Sequence, residues 1–379
     1  MAESVRELAK ELVRCRSVTP SDAGAQDIIE NFLKNSLKYP ITEHLDWENT
    51  RNLFIHEDRP GKVFCFLGHT DVVPPGDISL WKHEPFDISE VGGRLYGRGV
   101  ADMKGSDAAM AAAMAEFRRL HPDAEVSLAY LVTSDEEGKG TYGIKKVIEE
   151  FRKRQQRIDC CLVGEPSSSK TVGDTIKNGR RGSVTAEITF HGTAGHVAYP
   201  DKIHNPVHDL VKAAHLLTEV EWDRGNDFMP PTSMQIPNIK GGVGVNNMVP
   251  ESASMEINWR YSSETSAAEI RKRTEEILAS CSGKFEAEWD LSGEPFLSTD
   301  GMVLEAARKA IKEIKGFDPV LSTGGGTSDG RFMAKICPDL IELGPTNGSI
   351  HKIDENIGKD ELDELERIYL RLLENLFAS

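Results

Sequence analysis

Cysteine is scarce in this 379-residue chain and never has the spacing of a redox or metal-binding pair. Cys15, Cys65, Cys160, Cys161, Cys281 and Cys337 contain no Cys-x-x-Cys. Cys65, Cys160 and Cys161 sit in apolar, strand-like runs, so reduced, buried thiols are expected rather than a disulfide framework. No stretch approaches the roughly 20 apolar residues needed to cross a bilayer. Met1 to Cys15 is charged and amphipathic, with Val5, Leu8, Ala9, Leu12 and Val13 at helical spacing, and lacks the continuous apolar core of a signal peptide. Positive charge is also short. With 45 Lys and Arg against 61 Asp and Glu, net −16, nucleic acid and anionic membrane are excluded as general partners. A small anionic molecule can still be held by a local group of arginines. These absences point to a cytoplasmic protein. The H-E-x-x-H zinc helix is missing too, and the glycine-rich stretch Gly92–Gly105 lacks the G-x-G-x-x-G spacing of a dinucleotide site.

What is present is enough chain for two domains and a repeated arrangement of polar residues after apolar runs. Val63-Phe64-Cys65-Phe66-Leu67 reads as a buried strand and stops at Gly68-His69-Thr70-Asp71. His69 and Asp71, two apart on an extended segment, face the same way, so His69 can bind a metal while Asp71 holds its ring. A second apolar strand, 125–133, runs into Ser134-Asp135-Glu136-Glu137-Gly138, and a third, 159–163, into Gly164-Glu165-Pro166. Between them a glycine-rich loop, Gly92 to Gly99, leads to Asp102 at the opening of an Ala-rich helix. Ligands of open α/β sheets collect at the carboxyl ends of strands, where these residues fall.

Strand–helix alternation predicts an α/β catalytic domain with a mixed, mostly parallel sheet flanked by helices. The character changes after residue 178. A strand at 181–190 with Val184, Ala186, Ile188 and Phe190 on one face, a helix at 204–219, strands at 233–239 and 252–261, a helix at 266–280 and a strand at 284–291 give the order βαββαβ. That is the ferredoxin-like α+β plan. The expected layout is 1–178 and 293–379 as two parts of the catalytic domain, with 179–292 inserted as a lid and dimerisation domain. Helices are also expected at 4–15, 22–35 (capped by Ser21 or Asp22), 106–119, 141–153, 300–315 and 359–377.

Each polar residue alone has an ordinary explanation: a hydrogen-bonded His, a solvated Glu pair, an Asp capping a helix. Their recurrence at successive strand ends favours one metal centre. Imidazoles with several carboxylates suit zinc or a similar divalent ion, and an Asp can bridge two ions. Adjacent Glu136 and Glu137 point in different directions, so one can ligate while the other faces a water. Gly324–Gly330 reads equally as a surface loop or as an anion nest with Thr327. Arg180, Arg181 and Arg260 are candidates for carboxylate recognition.

Taken together, seven segments resemble the dinuclear-zinc aminoacylase/carboxypeptidase family. They are Gly68–Gly76, Tyr96–Gly105, Ser134–Gly138, Gly179–Ser183, Gly195–Pro200, Gly324–Phe332 and Ile350–Lys352. The resemblance implies His69, Asp102 and Glu165 as ligands of one zinc, and Asp102 as bridge with Glu137 and His351 for a second, with cobalt possible in one site. It implies Glu136 as general base, Asp71 as the group orienting His69, and His196 entering from the partner subunit of a homodimer to stabilise an oxyanion. Arg180, Ser183, Asn246, Asn247, Arg260, Gly326 and Thr327 would contact substrate. The implied reaction is hydrolysis of the amide between succinate and a diamino dicarboxylic acid. Deacylation of another N-acyl amino acid, such as N-acetylornithine, and a non-catalytic metal-dependent binding module stand as alternatives.

Overall fold

The computed structural model describes residues 5–281 and 283–378; Ser4, at the edge of the first expected helix, lies outside the described residues. In chain order the principal elements begin α1 (Val5–Arg14), α2 (Ala25–Ser36), β1 (Ile41–His44), β2 (Asn52–His56), β3 (Lys62–His69), α3 (Lys104–Leu120) and β4 (Val126–Thr133). They continue α4 (Ile144–Lys153), β5 (Cys160–Val163), β6 (Thr175–Lys177), β7 (Gly182–His191), α5 (Pro206–Thr218), β8 (Ser233–Lys240) and β9 (Ser252–Tyr261). The last are α6 (Ala267–Ala279), β10 (Lys284–Gly293), α7 (Met302–Lys315), β11 (Val320–Ser322), α8 (Gly330–Met333), β12 (Leu340–Glu342) and α9 (Glu361–Phe377). The chain divides into two units. One gathers Met1–Gly179, Leu297–Ser322 and Ser328–Ser379; the other gathers Arg180–Phe296 and Thr323–Thr327. The glycine-rich Thr323–Thr327 therefore belongs with the inserted unit, not with the returning catalytic segment.

The first unit is built on an eight-stranded mixed sheet in the order β1-β2-β4-β3-β5-β12-β6-β11. Its central run β4-β3-β5-β12 is parallel. Strands buried on both faces carry continuous apolar runs, and β4 is buried at every residue from Val126 to Thr133. Helices α1, α3, α7 and α9 pack together through residues at helical spacing, among them Leu8, Leu12, Leu362, Leu365, Ile368 and Leu372. Because β3, β4 and β5 are parallel, His69, Glu136 with Glu137, and Glu165 all follow the same end of the sheet.

The start of α2 differs from the expected cap, and the start of α3 bears on the task of Asp102. Gly24, with φ +86°, occupies the cap of α2 and offers no side chain, while Asp22 accepts the N–H groups of Gly24 and Gln26 at 3.0 Å each. Asp22 thus satisfies exposed helix donors from outside the cap position. The residue at the cap of α3 is Met103, which leaves the Asp102 carboxylate free for another task.

The second unit is a four-stranded antiparallel sheet, β8-β9-β7-β10, crossed by α5 and α6. This is the βαββαβ, ferredoxin-like order. Val184, Ala186, Ile188 and Phe190 of β7 point into one apolar core with Leu210, Trp259, Ile270 and Leu278, as the alternation predicts. β8 and β10 are its edges. The register of β8 shifts between Gln235 and Asn238, where Pro237 has no N–H for the ladder.

Among the described residues no helix is long and apolar enough to cross a membrane. All six cysteines are free thiols, and five of them are buried.

Candidate metal centre

His69 is the last residue of β3, and its ring is nearly enclosed. Nδ1 lies 2.9 Å from the backbone carbonyl of Asp71 and 3.6 Å from its Oδ1. The carbonyl, more than the carboxylate, therefore orients the imidazole, which refines the role read for Asp71. The Asp71 carboxylate instead accepts the backbone N–H groups of Glu136 (3.2 Å) and Glu137 (3.1 Å), holding the turn that follows β4. With Nδ1 donating to a carbonyl, Nε2 of the neutral ring is left as an acceptor. It is buried, has no hydrogen-bond partner, and approaches Asp102 Oδ1 at 3.3 Å and Glu165 Oε1 at 3.9 Å.

The remaining first-unit residues converge on the same place. His351 Nε2 lies 3.2 Å from Asp102 Oδ2 and 2.9 Å from Glu137 Oε1. Asp102 thus faces both histidines, one through each oxygen. Two ligand-bearing groups satisfy the distances a metal ion requires: His69 with Asp102 and Glu137, and His69 with Glu136 and Glu165, each set within 4.8 Å. Glu136 is therefore also within ligand reach, which spacing along the sequence did not reveal.

The electrostatics describe a pocket short of positive charge. Burial, reinforced by the carboxylates of Asp329, Glu137 and Asp102, pushes Glu136 well above the ordinary carboxyl range, against the opposing pull of His69. Burial and the charges of Glu136 and Asp102 do the same to Glu165. Burial opposes ionisation of Asp102 too, but contact with His351 and His69 holds it well below that range. Burial alone would lower His69; the Asp102 carboxylate, followed by Glu136, Asp71 and Glu165, holds it well above the usual imidazole value. Hydrogen bonds to Asp102 and Glu137 raise His351 to about 10. Carboxylates crowded in a low-dielectric site need cations, and an orphaned imidazole nitrogen aimed among them fits a divalent ion.

In the second unit, Arg180 is buried and its Nη1 donates to the Gly324 carbonyl at 3.1 Å, tying the strand entry to the glycine-rich segment. Gly325 there has φ +103°, open to glycine, and a Cβ would meet Arg180 Nη1 at 2.7 Å. Ser183 of β7 pairs in register with Arg260 of β9, and Asn258 receives the Arg260 Nε–H at 3.1 Å. Gly326, Asn246 and Asn247 are exposed, and Thr327 is half-buried. The Asn247 carbonyl accepts the Val197 N–H at 3.1 Å, linking this loop to the His196 hairpin. His196 is exposed, and its Nδ1 accepts the Ala198 N–H at 3.1 Å. The neutral ring then carries its proton on Nε2, as an outward donor.

Sequence reading missed several buried acids of the first unit, among them Asp107, Asp329 and Glu355. Asp107 lies in the Ala-rich helix, Asp329 in the glycine-rich segment and Glu355 in an acidic run, and all three are buried. Their burial depends on segments distant in the chain, and no local pattern marks it.

A model of peptidase family M20/M25/M40 matches residues 65–375. Succinyl-diaminopimelate desuccinylase 2 of Alteromonas mediterranea is 46% identical over 377 residues, spanning 100% of this chain and 99% of that protein. Among solved structures, the M20 family metallo-carboxypeptidase Sso-CP2 of Sulfolobus solfataricus superposes with a TM-score of 0.77 at 17% identity, covering 98% of this chain and 99% of that one. The dinuclear metal binding peptidase YXEP of Bacillus subtilis does so with a TM-score of 0.69 at 16% identity, covering 97% and 98%. Matched along most of its length by the family and along all of it by a 46% identical relative, the chain belongs to peptidase family M20/M25/M40.

Proposed function

We propose that this chain hydrolyses N-succinyl-LL-2,6-diaminopimelate to succinate and LL-2,6-diaminopimelate, a step toward diaminopimelate and lysine. The observation that carries the reading is the convergence of His69, Asp102, Glu137, Glu165 and His351 around Glu136, in a chain with near full-length identity to a desuccinylase. We assign His69, Asp102 and Glu165 to one zinc ion and Asp102, Glu137 and His351 to the other, with cobalt a workable substitute in one site. When bound, the two ions would supply Lewis acidity at the amide carbonyl and make a nearby water more acidic.

Glu136 acts as the proton carrier. One water adds across the amide: its oxygen bonds to the succinyl carbonyl carbon, and its proton passes to Glu136. The carbon–nitrogen bond then breaks as Glu136 returns that proton to the nitrogen, which leaves as the amine. Asp71 keeps Glu136 in place through the backbone of its turn.

The inserted unit carries the groups assigned to recognition. Arg180, Arg260, Ser183, Asn246, Asn247, Gly326 and Thr327 match a substrate with several carboxylates, by charge-assisted hydrogen bonds. His196, with Nε2–H outward, serves as oxyanion donor and comes from the second subunit of a homodimer formed through this unit. The protein is placed in the cytoplasm.

The test is a panel assay of metal-loaded protein with N-succinyl-LL-2,6-diaminopimelate, N-acetylornithine and a dipeptide, following release of the free amine. Preference for the succinylated substrate supports the reading. Preference for N-acetylornithine would move the chain elsewhere in the family, and metal binding without turnover of any would leave a binding module.

A further inference from the structure

Glu355 lies four residues after His351, in the run Asp354-Glu355-Asn356, yet it is fully buried. Its Oε1 accepts the N–H groups of Ala101 and Asp102 at 2.9 and 3.0 Å. Its Oε2 accepts Arg98 Nη1 at 2.7 Å and the Gly99 N–H at 3.0 Å. The Glu355 carbonyl accepts the Gly97 N–H at 3.0 Å. The turn from Gly97 to Asp102 is thus organised around one residue more than 250 positions away in the chain. The Arg98 guanidinium, in turn, lies over the Trp81 ring at 5.2 Å.

The other side of this contact is the turn carrying His351. His351 and Asp354 have φ of +59° and +56°, in the left-handed region that non-glycine residues rarely adopt. Such conformations persist where the surroundings over-determine them. Here Ser349 Oγ donates to the Asn356 carbonyl at 2.6 Å and accepts the Asn356 N–H at 2.9 Å. Asn356–Gly358 then pairs antiparallel with Arg94–Tyr96, directly before the Asp102 turn.

We propose that Glu355 is a positioning residue for the ion shared by Asp102 and His351: its carboxylate docks the His351 turn on the Asp102 turn, bringing the two ligands together before an ion arrives. The inference rests on the ligand assignment above. It also makes that assignment asymmetric. His69 and Glu165 stand at the ends of β3 and β5, whose placement comes from the sheet and not from Glu355. Loss of Glu355 therefore acts on one ion more than on the other.

The experiment uses the full chain stripped with chelator and titrated with Zn2+ by calorimetry, with bound metal counted after dialysis. Glu355→Gln keeps the side chain's size but turns an amide NH2 toward backbone N–H donors. The double variant Arg98→Met, Glu355→Gln removes both charges together, so neither is left buried alone, and decides the matter if the single variant does not fold. Expected is a tight ion bound nearly as in the parent and a second ion weakened roughly 10–100-fold, with activity at limiting metal recovered by excess metal. Second-ion affinity equal to the parent's in a folded variant overturns the proposal, and so does equal weakening of both ions. His351→Ala is the control for the ligand assignment: if it leaves both ions in place, that assignment fails, whatever Glu355 does.

Discussion

Asp71 and Glu136 are joined by a hydrogen bond from the Glu136 backbone N–H to Asp71 Oδ1 at 3.2 Å, and the next N–H, of Glu137, reaches Oδ2 at 3.1 Å. One carboxylate on the segment after β3 therefore fixes the turn after β4. Its backbone carbonyl fixes His69, so a single residue sets the relative positions of an imidazole from one strand and two acids from another.

Asp71→Asn keeps one acceptor oxygen and loses the second, which frees one end of the Glu136–Glu137 turn. Since the His69 ring is held by a main-chain carbonyl, the first ion should stay. Turnover is expected to fall about 10–100-fold, with metal content close to the parent's. Measuring kcat beside bound metal checks this, and parallel loss of both would mean the carboxylate acts mainly on His69.

Glu136→Gln preserves the shape of the pocket and removes the group proposed as proton carrier. Turnover should drop by about 10²–10⁴ while metal content is retained. Stopped assays on a variant with verified metal occupancy give the answer; activity near the parent's would assign proton transfer to another group.

Metal binding should release protons at neutral pH. In the metal-free protein, hydrogen bonds to Asp102 and Glu137 lift His351 from 6.5 to about 10. A raised folded-state pKa means the stabilisation from this pairing is fully present below about 6.5 and is lost as pH rises through about 10. An incoming ion has to displace that proton, so apparent affinity should increase between pH 6.5 and 9. Calorimetry in two buffers of different ionisation enthalpy counts the protons, and a null count would show that His351 is not displaced.

Asp107 should make the metal-free fold less stable as pH rises. Burial pushes its carboxyl from 3.8 to about 7, against the pull of His69, the Tyr130 hydroxyl (2.8 Å from Oδ1) and Lys104. The folded chain thus keeps a proton that the unfolded chain has already lost; the contribution is complete below about 3.8 and gone above about 7. Asp107→Asn does not titrate. Its urea midpoint should decline less than the parent's between pH 5 and pH 8, and equal declines would refute the assignment.

His196→Ala should reduce turnover more than metal content. If its ring serves the other subunit's site, mixing inactive His196→Ala and Glu136→Gln chains should regain activity through hybrid dimers. An inactive mixture, in which hybrids are demonstrated, would place His196 in its own subunit's site.

Local pattern carried much of this molecule. The apolar runs ending at His69, Thr133 and Val163 are the strands β3, β4 and β5, and the alternation from Val184 to Phe190 is the inner face of β7. Glycine and proline marked where those strands stop, because they set backbone angles locally. Errors fell where a distant segment intervened. Gly24, and neither Ser21 nor Asp22, sits at the start of α2, and Glu355, in an acidic run, is buried.

By itself the sequence determined which residues could be ligands, since residue type and strand-end placement are written locally, and it determined the βαββαβ order of the inserted unit through its periodicity. Only the tertiary structure decided their partners. It gave His69 to the Asp71 carbonyl, the Asp71 carboxylate to Glu136 and Glu137, and the Asp102 turn to Glu355. Those pairings join segments tens to hundreds of residues apart, and a hydrogen bond across such a distance is set by how the parallel strands and their crossovers pack, which no neighbouring residue encodes.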